Sequence, residues 1–185
     1  TSAINLVSNH RVLECIKLRN KNITVNMGVA LFNWQDIPLS EPCNTLHLPI
    51  EGDPVGTSIG NPHCTFFVNS INDLSIETIG KRYETDSLFP AKTNVQIAEV
   101  LNKKLIKVRV WERGVGLTKA SGSAACAVAS ASFRRNLTHK KVKIILDGGE
   151  LDVDISEDGI WMSGPTCHVF DGTLTNEFLA NLERN

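Results

Sequence analysis

The sequence predicts an α+β fold in which a highly curved, mostly antiparallel sheet or barrel wraps around one central buried helix. Most of the chain consists of short β-branched runs separated by turn-forming residues, a spacing that is typical of antiparallel sheets. One run of small apolar residues, from about 122 to 135, interrupts this pattern. Its apolar residues point in every direction around a helix, which indicates burial. No repeat, low-complexity segment or linker is visible, so residues 1–185 are expected to form a single domain.

The first predicted elements are short antiparallel strands at residues 6–7, 12–18 and 23–25. Asn9-His10 and Asn20-Lys21-Asn22 supply the turns between them. Residues 28–42 show no clear period and contain two prolines, so they are predicted to form a loop with at most one helical turn. Residues 46–50 are predicted to form a further short strand.

Residues 57–69 contain the turn Gly60-Asn61-Pro62-His63, followed by a β-rich run. Asparagine tolerates unusual backbone angles, and proline holds the residue before it extended. Asn61 and His63 have two interpretations. They are either an ordinary turn with a locally satisfied histidine, or a polar pair at the mouth of a strand. In the second case His63 is a proton-handling group that is tunable near neutral pH.

The middle of the chain is predicted to contain a helix and a β-hairpin. The helix covers residues 71–83, with Ser70 or Asn72 as its cap. The hairpin pairs residues 94–101 with residues 105–111 around the turn Asn102-Lys103. Asn94 stands at the start of the first strand, where it is either a turn residue or a side-chain amide that faces a ligand.

The last third of the chain is predicted to form four strands and a short helix. Asp-Gly and Gly-Pro turns separate the strands, which cover residues 141–146, 150–155, 160–163 and 166–170. The final helix covers residues 175–182, with Thr175 as its cap.

A strand, a glycine-bearing loop and the central helix follow one another between Trp111 and Asn136. The first turn of the helix, at Gly122 and Ser123, offers unpaired backbone N–H groups and the positive end of a dipole, which together bind carboxylates or phosphates. The adjacent Glu112 and Arg113 could supply a proton-handling carboxylate and a bidentate anion clamp. An ordinary glycine loop that leads to a core helix explains the same residues.

The composition limits the classes of function. Hydrophobic residues make up 42% of the chain and charged residues 21%, with a formal net charge of -1. This balance argues against a general affinity for nucleic acid or an acidic membrane, and no apolar run approaches the length of a membrane span. The five cysteines are scattered and odd in number, which favours the reducing cytoplasm over disulfides or a zinc site. The start of the chain shows no signal peptide and no initiator Met, so we expect a longer protein.

These residues resemble the C-terminal half of the diaminopimelate epimerases, which use no pyridoxal cofactor. The resemblance covers essentially the whole chain and depends on four segments: Gly60-Asn61-Pro62-His63, Thr93-Asn94-Val95-Gln96, Trp111-Glu112-Arg113-Gly114-Val115-Gly116-Leu117-Thr118-Lys119-Ala120 and Gly164-Pro165. It implies two similar domains, each a barrel around a helix, that close on the substrate and contribute one cysteine each.

The resemblance also implies a role for each site residue. One thiolate removes the α-proton of the amino acid, and a thiol on the other face returns a proton. The substrate would be held by Asn61, Asn94, Glu112, Arg113, Gly122 and Ser123. His63 and Glu112 would tune the proton transfer, and no metal or cofactor would take part.

The chain departs from the family pattern in two ways. The N-terminal half, with the opposing cysteine, is absent. The cysteine expected in this half is replaced by Ser121, whose hydroxyl is a far weaker acid than a thiol with a pKa of about 8.5. One sequence does not separate engineering from natural loss.

Two functions follow from the resemblance. The chain is either half of an epimerase that converts LL-diaminopimelate to the meso form in lysine and peptidoglycan precursor synthesis, or a non-catalytic domain that binds amino-acid carboxylates. As half of a site containing Ser121, the chain is expected to be inactive alone. The expected partners are a small-molecule substrate and the missing N-terminal half. A homodimer is a further possibility that the sequence does not decide.

Overall fold

The computed structural model of the protein describes residues 3–7 and 12–182. Within these residues it contains eleven strands and three α-helices. The elements in chain order are β1 (Ala3–Val7), β2 (Val12–Lys17), β3 (Ile23–Asn26), β4 (Val55–Ser58), β5 (Pro62–Val68), α1 (Ile76–Glu84), β6 (Asn94–Asn102), β7 (Leu105–Glu112), β8 (Gly116–Thr118), α2 (Gly122–Arg134), β9 (Lys141–Leu146), β10 (Gly149–Ser156), β11 (Gly159–Gly164) and α3 (Asn176–Leu182).

All the described strands belong to one mixed sheet. Their order is β1-β2-β3-β11-β10-β9-β7-β6-β5-β4, and β8 pairs with β7 outside this path. The pairs β5 with β6 and β7 with β9 are parallel, and the other pairings are antiparallel. Parallel neighbours need a crossover connection, and α1 and α2 lie in the two connections concerned. The predicted α+β class, with a mostly antiparallel sheet, is confirmed.

Helix α2 forms the centre of the largest hydrophobic cluster. Each of its residues from Ala124 to Ser132 is buried. It packs against β4, β5, β6, β9, β10 and β11. Alanine favours the helix and lets the neighbouring strands approach closely, which explains why small residues occupy every face. The predicted boundaries of this helix are correct to within one residue.

Helix α1 begins later than predicted. Ile76 is its first residue, and the Ser75 side chain accepts a hydrogen bond from the Thr78 amide. Neither predicted cap, Ser70 or Asn72, is at the helix start; Ser70 Oγ instead accepts a hydrogen bond from the Asn72 amide in a turn. Ile71 is fully buried in the core, so its apolar character reflects packing rather than helical period.

Two predicted strands are wrong. Residues 46–50 form turns and bends. The Leu48 amide donates to the Pro54 carbonyl, and the Ile50 amide donates to the Leu48 carbonyl. Residues 166–170 are exposed and contain no strand. They follow β11, whose two edges are already taken by β3 and β10, so no edge of that strand remains free for another hairpin partner.

The other predicted elements are confirmed to within a few residues. The β6–β7 hairpin turns at Lys103 and Lys104, one residue later than predicted. Residues 28–42 form the predicted loop, with turns at residues 34–38. Thr175 caps α3 by accepting a hydrogen bond from the Phe178 amide. The predicted turn Asn9-His10 lies outside the described residues. Across residues 3–7 and 12–182, none of the helices combines the length and apolar character that crossing a membrane requires.

Candidate active site

His63 lies near the start of β5 and is fully buried. The Gln96 side chain, one strand away, accepts a hydrogen bond from Thr65 Oγ1 through its oxygen and places its amide nitrogen 3.0 Å from His63 Nδ1. Nδ1 is therefore the acceptor, and the ring proton lies on Nε2. Nε2 then donates to Asn61 Oδ1 at 3.0 Å. These bonds fix both the tautomer of His63 and the orientation of the Asn61 amide.

The histidine is neutral at physiological pH. Burial lowers the pKa of His63 to about 3, and the positive charge of Arg113 acts in the same direction. The second interpretation of His63, a group that is tunable near neutral pH, is therefore not supported, because burial removes the solvent that would stabilise the charged imidazole. His63 acts here as a fixed hydrogen-bond donor to Asn61.

Asn94 links the start of β5 to the segment that follows β7. Its Nδ2 donates to the Pro62 carbonyl at 2.8 Å, and its Oδ1 accepts from the Arg113 amide at 3.0 Å. The side chain is only 5% exposed, which makes both bonds important to the local structure. Asn94 thus belongs to the predicted site and positions the backbone of Arg113.

Glu112 and Ser121 meet across the β7–β8 hairpin. Glu112 ends β7, and Ser121 Oγ lies 3.4 Å from Glu112 Oε2. The hairpin turns through Gly114 and Gly116, whose φ angles of 76° and 102° are rarely adopted by other residues. Glycine at these two positions allows the chain to bring the carboxylate back to the start of α2.

The start of α2 has the general features of an anion-binding helix terminus. Ser121 has an extended backbone, but its side chain makes no capping hydrogen bond, and the first turn contains no acidic residue. The amides of Gly122 and Ser123 have no acceptor within the helix, and the dipole favours negative charge there. A Cβ on Gly122 would stand 3.0 Å from the Met162 sulfur, so a larger residue here would require the end of that flexible side chain to shift.

The backbone of Arg113 is held by a hydrogen bond, whereas its side chain is exposed. Its backbone amide is held by Asn94, while its exposed guanidinium donates from Nη1 to the Ala91 carbonyl at 3.1 Å. The predicted site residues therefore lie on four segments that hydrogen bonds and the hairpin connect: the 60–63 turn, the start of β6, the 112–116 turn and the start of α2.

Two further polar residues were missed by the sequence analysis. Gln96 is fully buried and orients His63. It lies two residues after Asn94 in a strand, on the same face, which was an available signal. Glu84 accepts hydrogen bonds from Trp111 Nε1 at 2.7 Å and the Gly114 amide at 2.8 Å. Its only signal was a carboxylate at the C-terminal end of a helix, where the dipole disfavours negative charge.

Known proteins share these segments. The sequence model of the family described as Diaminopimelate epimerase matches residues 56–169, more than half of the 185 residues. The chain belongs to the diaminopimelate epimerase family. The resemblance given by the Gly-Asn-Pro-His and Glu-Arg-Gly segments is thereby confirmed.

Curated diaminopimelate epimerases match most of the chain. The enzyme of Wolbachia sp. subsp. Brugia malayi (strain TRS) is 46% identical over 168 residues, which cover 88% of this chain and 64% of the relative. That of Wolbachia sp. subsp. Drosophila simulans (strain wRi) is 45% identical, covering 84% and 61%, and that of Gluconobacter oxydans (strain 621H) is 44% identical, covering 81% and 57%. The chain thus spans about three fifths of these relatives.

Solved structures share the fold at low sequence identity. A predicted epimerase from Pseudomonas aeruginosa superposes with a TM-score of 0.60 at 18% identity, covering 89% of this chain and 63% of that one. A hydroxyproline epimerase from Agrobacterium vitis, solved with bound trans-4-hydroxy-L-proline, gives 0.58 at 11% identity, covering 89% and 56%. The chain thus shares the fold of these two proteins.

Proposed function

We propose that this chain is the C-terminal part of a cofactor-independent epimerase that interconverts LL- and meso-diaminopimelate. The observation that carries the proposal is the contact of Ser121 with Glu112 at the uncapped start of α2, in a chain of this family. Position 121 is where a proton-transferring residue would stand. The amides of Gly122 and Ser123 are the adjacent anion donors.

The substrate carboxylate would bind these two amides. As the α-carbon loses its proton, negative charge flows onto that carboxylate, so the same donors stabilise the transition state more than the bound substrate. Asn61 and Arg113 would contact the rest of the amino acid. Their positions are set by His63 and Asn94 respectively.

Glu112 would orient the group at position 121. A cysteine there could take the α-proton as a thiolate while a second thiol returns a proton from the opposite face. Ser121 is nearly useless as a base at neutral pH, because its hydroxyl is a far weaker acid than a thiol. The chain as it stands would bind the substrate without turning it over.

The second cysteine would come from a part corresponding to the stretch of the relatives that this sequence does not cover. Exposed apolar side chains on the first strands and the C-terminal segment support a covering partner: Ile4, Leu6, Val7, Val12, Val169, Phe170, Leu174, Phe178 and Leu179. An N-terminal half would bury them, and a second copy of the chain would compete for the same surface. We expect this site to be half-built in the isolated chain.

The shape of the sheet and the cellular compartment are part of the same proposal. Helix α2 packs against β4, at one end of the strand order, and against β11, which supports a sheet that curves around it. Residues 1–185 would then form one domain. Cys15, Cys43, Cys64 and Cys167 are free thiols, which fits the cytoplasm.

A non-catalytic domain that binds amino-acid carboxylates is the second candidate. Ser121 favours this second candidate. Serine leaves the anion-binding amides of Gly122 and Ser123 intact, but its hydroxyl cannot serve as an acid or base at neutral pH. The two candidates differ in whether the complete protein retains an opposing cysteine and responds to restoration of the first.

The test joins this chain to the N-terminal part of the Brugia malayi Wolbachia relative and compares Ser121 with the Ser121→Cys variant. Exchange of the α-proton of diaminopimelate for deuterium should rise about 10²- to 10⁴-fold or more in the variant, the usual contribution of a positioned acid or base. Both forms should bind diaminopimelate similarly. Equal exchange rates would show that position 121 transfers no proton.

A further inference from the structure

We propose that Glu84 is a positioning residue that holds Glu112 and Arg113 in the geometry of the site, an inference that rests on the proposed function. Glu84 is the last residue of α1, outside the segments that contain the predicted site residues. One of its carboxylate oxygens accepts from Trp111 Nε1 and the other from the Gly114 amide. The two donors stand on either side of Glu112 and Arg113.

Close packing restrains the Trp111 indole, to which Glu84 is hydrogen-bonded. Trp111 packs against Gly80 of the same helix, so closely that a Cβ on Gly80 would stand 2.3 Å from Trp111 Cγ. At the far end of the ring, a Cβ on Gly116 would be 3.5 Å from Trp111 Cη2. The indole therefore contacts both α1 and the β7–β8 turn, and its Nε1 donates to Glu84.

Glu84 also contacts the start of β6 through its backbone. The Glu84 carbonyl accepts a hydrogen bond from the Thr93 amide, directly before Asn94. Asn94 in turn accepts from the Arg113 amide. Two routes thus lead from Glu84 to the Glu112–Arg113 segment, one through its side chain and one through its backbone.

The Glu84 carboxylate is ionised at neutral pH. The hydrogen bond from Trp111, joined by that from the Gly114 amide, holds the pKa of Glu84 below its usual value although the residue is only 9% exposed. An ionised carboxylate accepts one bond through each oxygen. In glutamine one of these oxygens is replaced by an NH2 group, which cannot accept a hydrogen bond. Glu84→Gln should therefore release either Trp111 or Gly114.

Glu99 offers a matched control. Its carboxylate on β6 accepts a hydrogen bond from the Ile71 amide at 2.9 Å, away from the site. Glu99→Gln makes the same chemical change at a carboxylate that also holds a backbone amide. If Glu84 matters only for stability, the two variants should differ in their free energies of unfolding but not in the site.

The test uses NMR on the 185-residue chain and its Glu84→Gln and Glu99→Gln variants, with meso-diaminopimelate as the titrated probe. In Glu84→Gln we expect the nuclear Overhauser contact between the Glu112 and Ser121 side chains to disappear and the dissociation constant for diaminopimelate to rise about tenfold, the equivalent of one hydrogen bond to a charged group. Glu99→Gln should change neither. Should Glu84→Gln fail to fold, Glu84→Asp replaces it, since the shorter side chain cannot span both donors.

The two readouts separate this proposal from the proposed function. If the unmodified chain binds no diaminopimelate, the substrate assignment fails, while the Glu112–Ser121 contact still decides the role of Glu84. If that contact persists in Glu84→Gln and the affinity stays within about twofold of that of Glu99→Gln, Glu84 is a structural residue only.

Discussion

The indole of Trp111 lies directly over Gly80, where a Cβ would stand 2.3 Å from Trp111 Cγ. This contact places α1 against the strand that ends in Glu112. It predicts that Gly80→Ala destabilises the protein although alanine favours helices. Overpacking costs about 1 to 3 kcal/mol and the helix preference returns about 1 kcal/mol, so we expect a net loss of up to about 2 kcal/mol.

Urea unfolding of Gly80→Ala measures that loss. Lys81→Ala is the control, because it changes an exposed residue of the same helix. The contact would be unimportant if Gly80→Ala were as stable as the unmodified chain. In that case the helix can shift away from Trp111 at little cost.

The buried state of His63 predicts a pH dependence of stability. The pKa of His63 in the folded protein is about 3, below its value of about 6.5 in an unfolded chain, so the unfolded state binds more protons between these values. Stability is therefore fully present above pH 6.5 and falls on acidification, by at most about 1.4 kcal/mol per pH unit. Urea unfolding between pH 7 and pH 4 measures the slope.

The variant His63→Gln should show a shallower slope over the same range, since it cannot take up this proton. If the imidazole signals of His63 titrate near pH 6.5 in the folded chain, the ring is not buried and neutral as the structure has it.

Gln96 predicts a cost for breaking the buried network. Gln96→Leu would leave His63 Nδ1 and Thr65 Oγ1 without their partner in a water-free environment. Each unsatisfied group costs about 1 to 3 kcal/mol, so we expect a loss of at least about 2 kcal/mol in the free energy of unfolding. Gln96→Glu is the comparison: a carboxylate can accept from His63, and it should raise the pKa of the imidazole. A neutral effect of Gln96→Leu on stability would contradict the network.

The uncapped start of α2 predicts an anion site in the isolated chain. Titration with sulfate or diaminopimelate should shift the amide signals of Gly122 and Ser123 in NMR spectra. The start of α1 is an internal control, because Ser75 caps it and Glu77 occupies its first turn. Shifts at α1 as large as those at α2 would indicate nonspecific binding.

The isolated chain is expected to catalyse no exchange. Its site would be open to water and lack the opposing thiol, and closure is what removes water from such reactions. Incubation with diaminopimelate in heavy water should give no deuterium at the α-carbon above the background without protein. Uptake above that background would show that one half of the site suffices.

Several features could be predicted from the sequence because their signals are local. Asp147-Gly148 favours a tight turn whatever surrounds it, and the run of small, mostly apolar residues from Gly122 onward favours a buried helix. In the segment from Glu112 to Ser121, the residues proposed for the site likewise lie close together in sequence. The sequence alone therefore determined the central helix and most strands, and the residues of the proposed site stay a prediction from it.

The tertiary structure decided what depends on distant partners. Residues 46–50 and 166–170 have strand-like composition but no strand beside them, and a strand exists only where another supplies its hydrogen bonds. The parallel pairs follow from the crossovers through α1 and α2. Burial gave His63 its low pKa, and the packing of α1 brought Glu84 to Trp111 and Gly114 across 27 and 30 residues of sequence. No local pattern encodes such contacts, because their free energy arises only when both segments have already folded together.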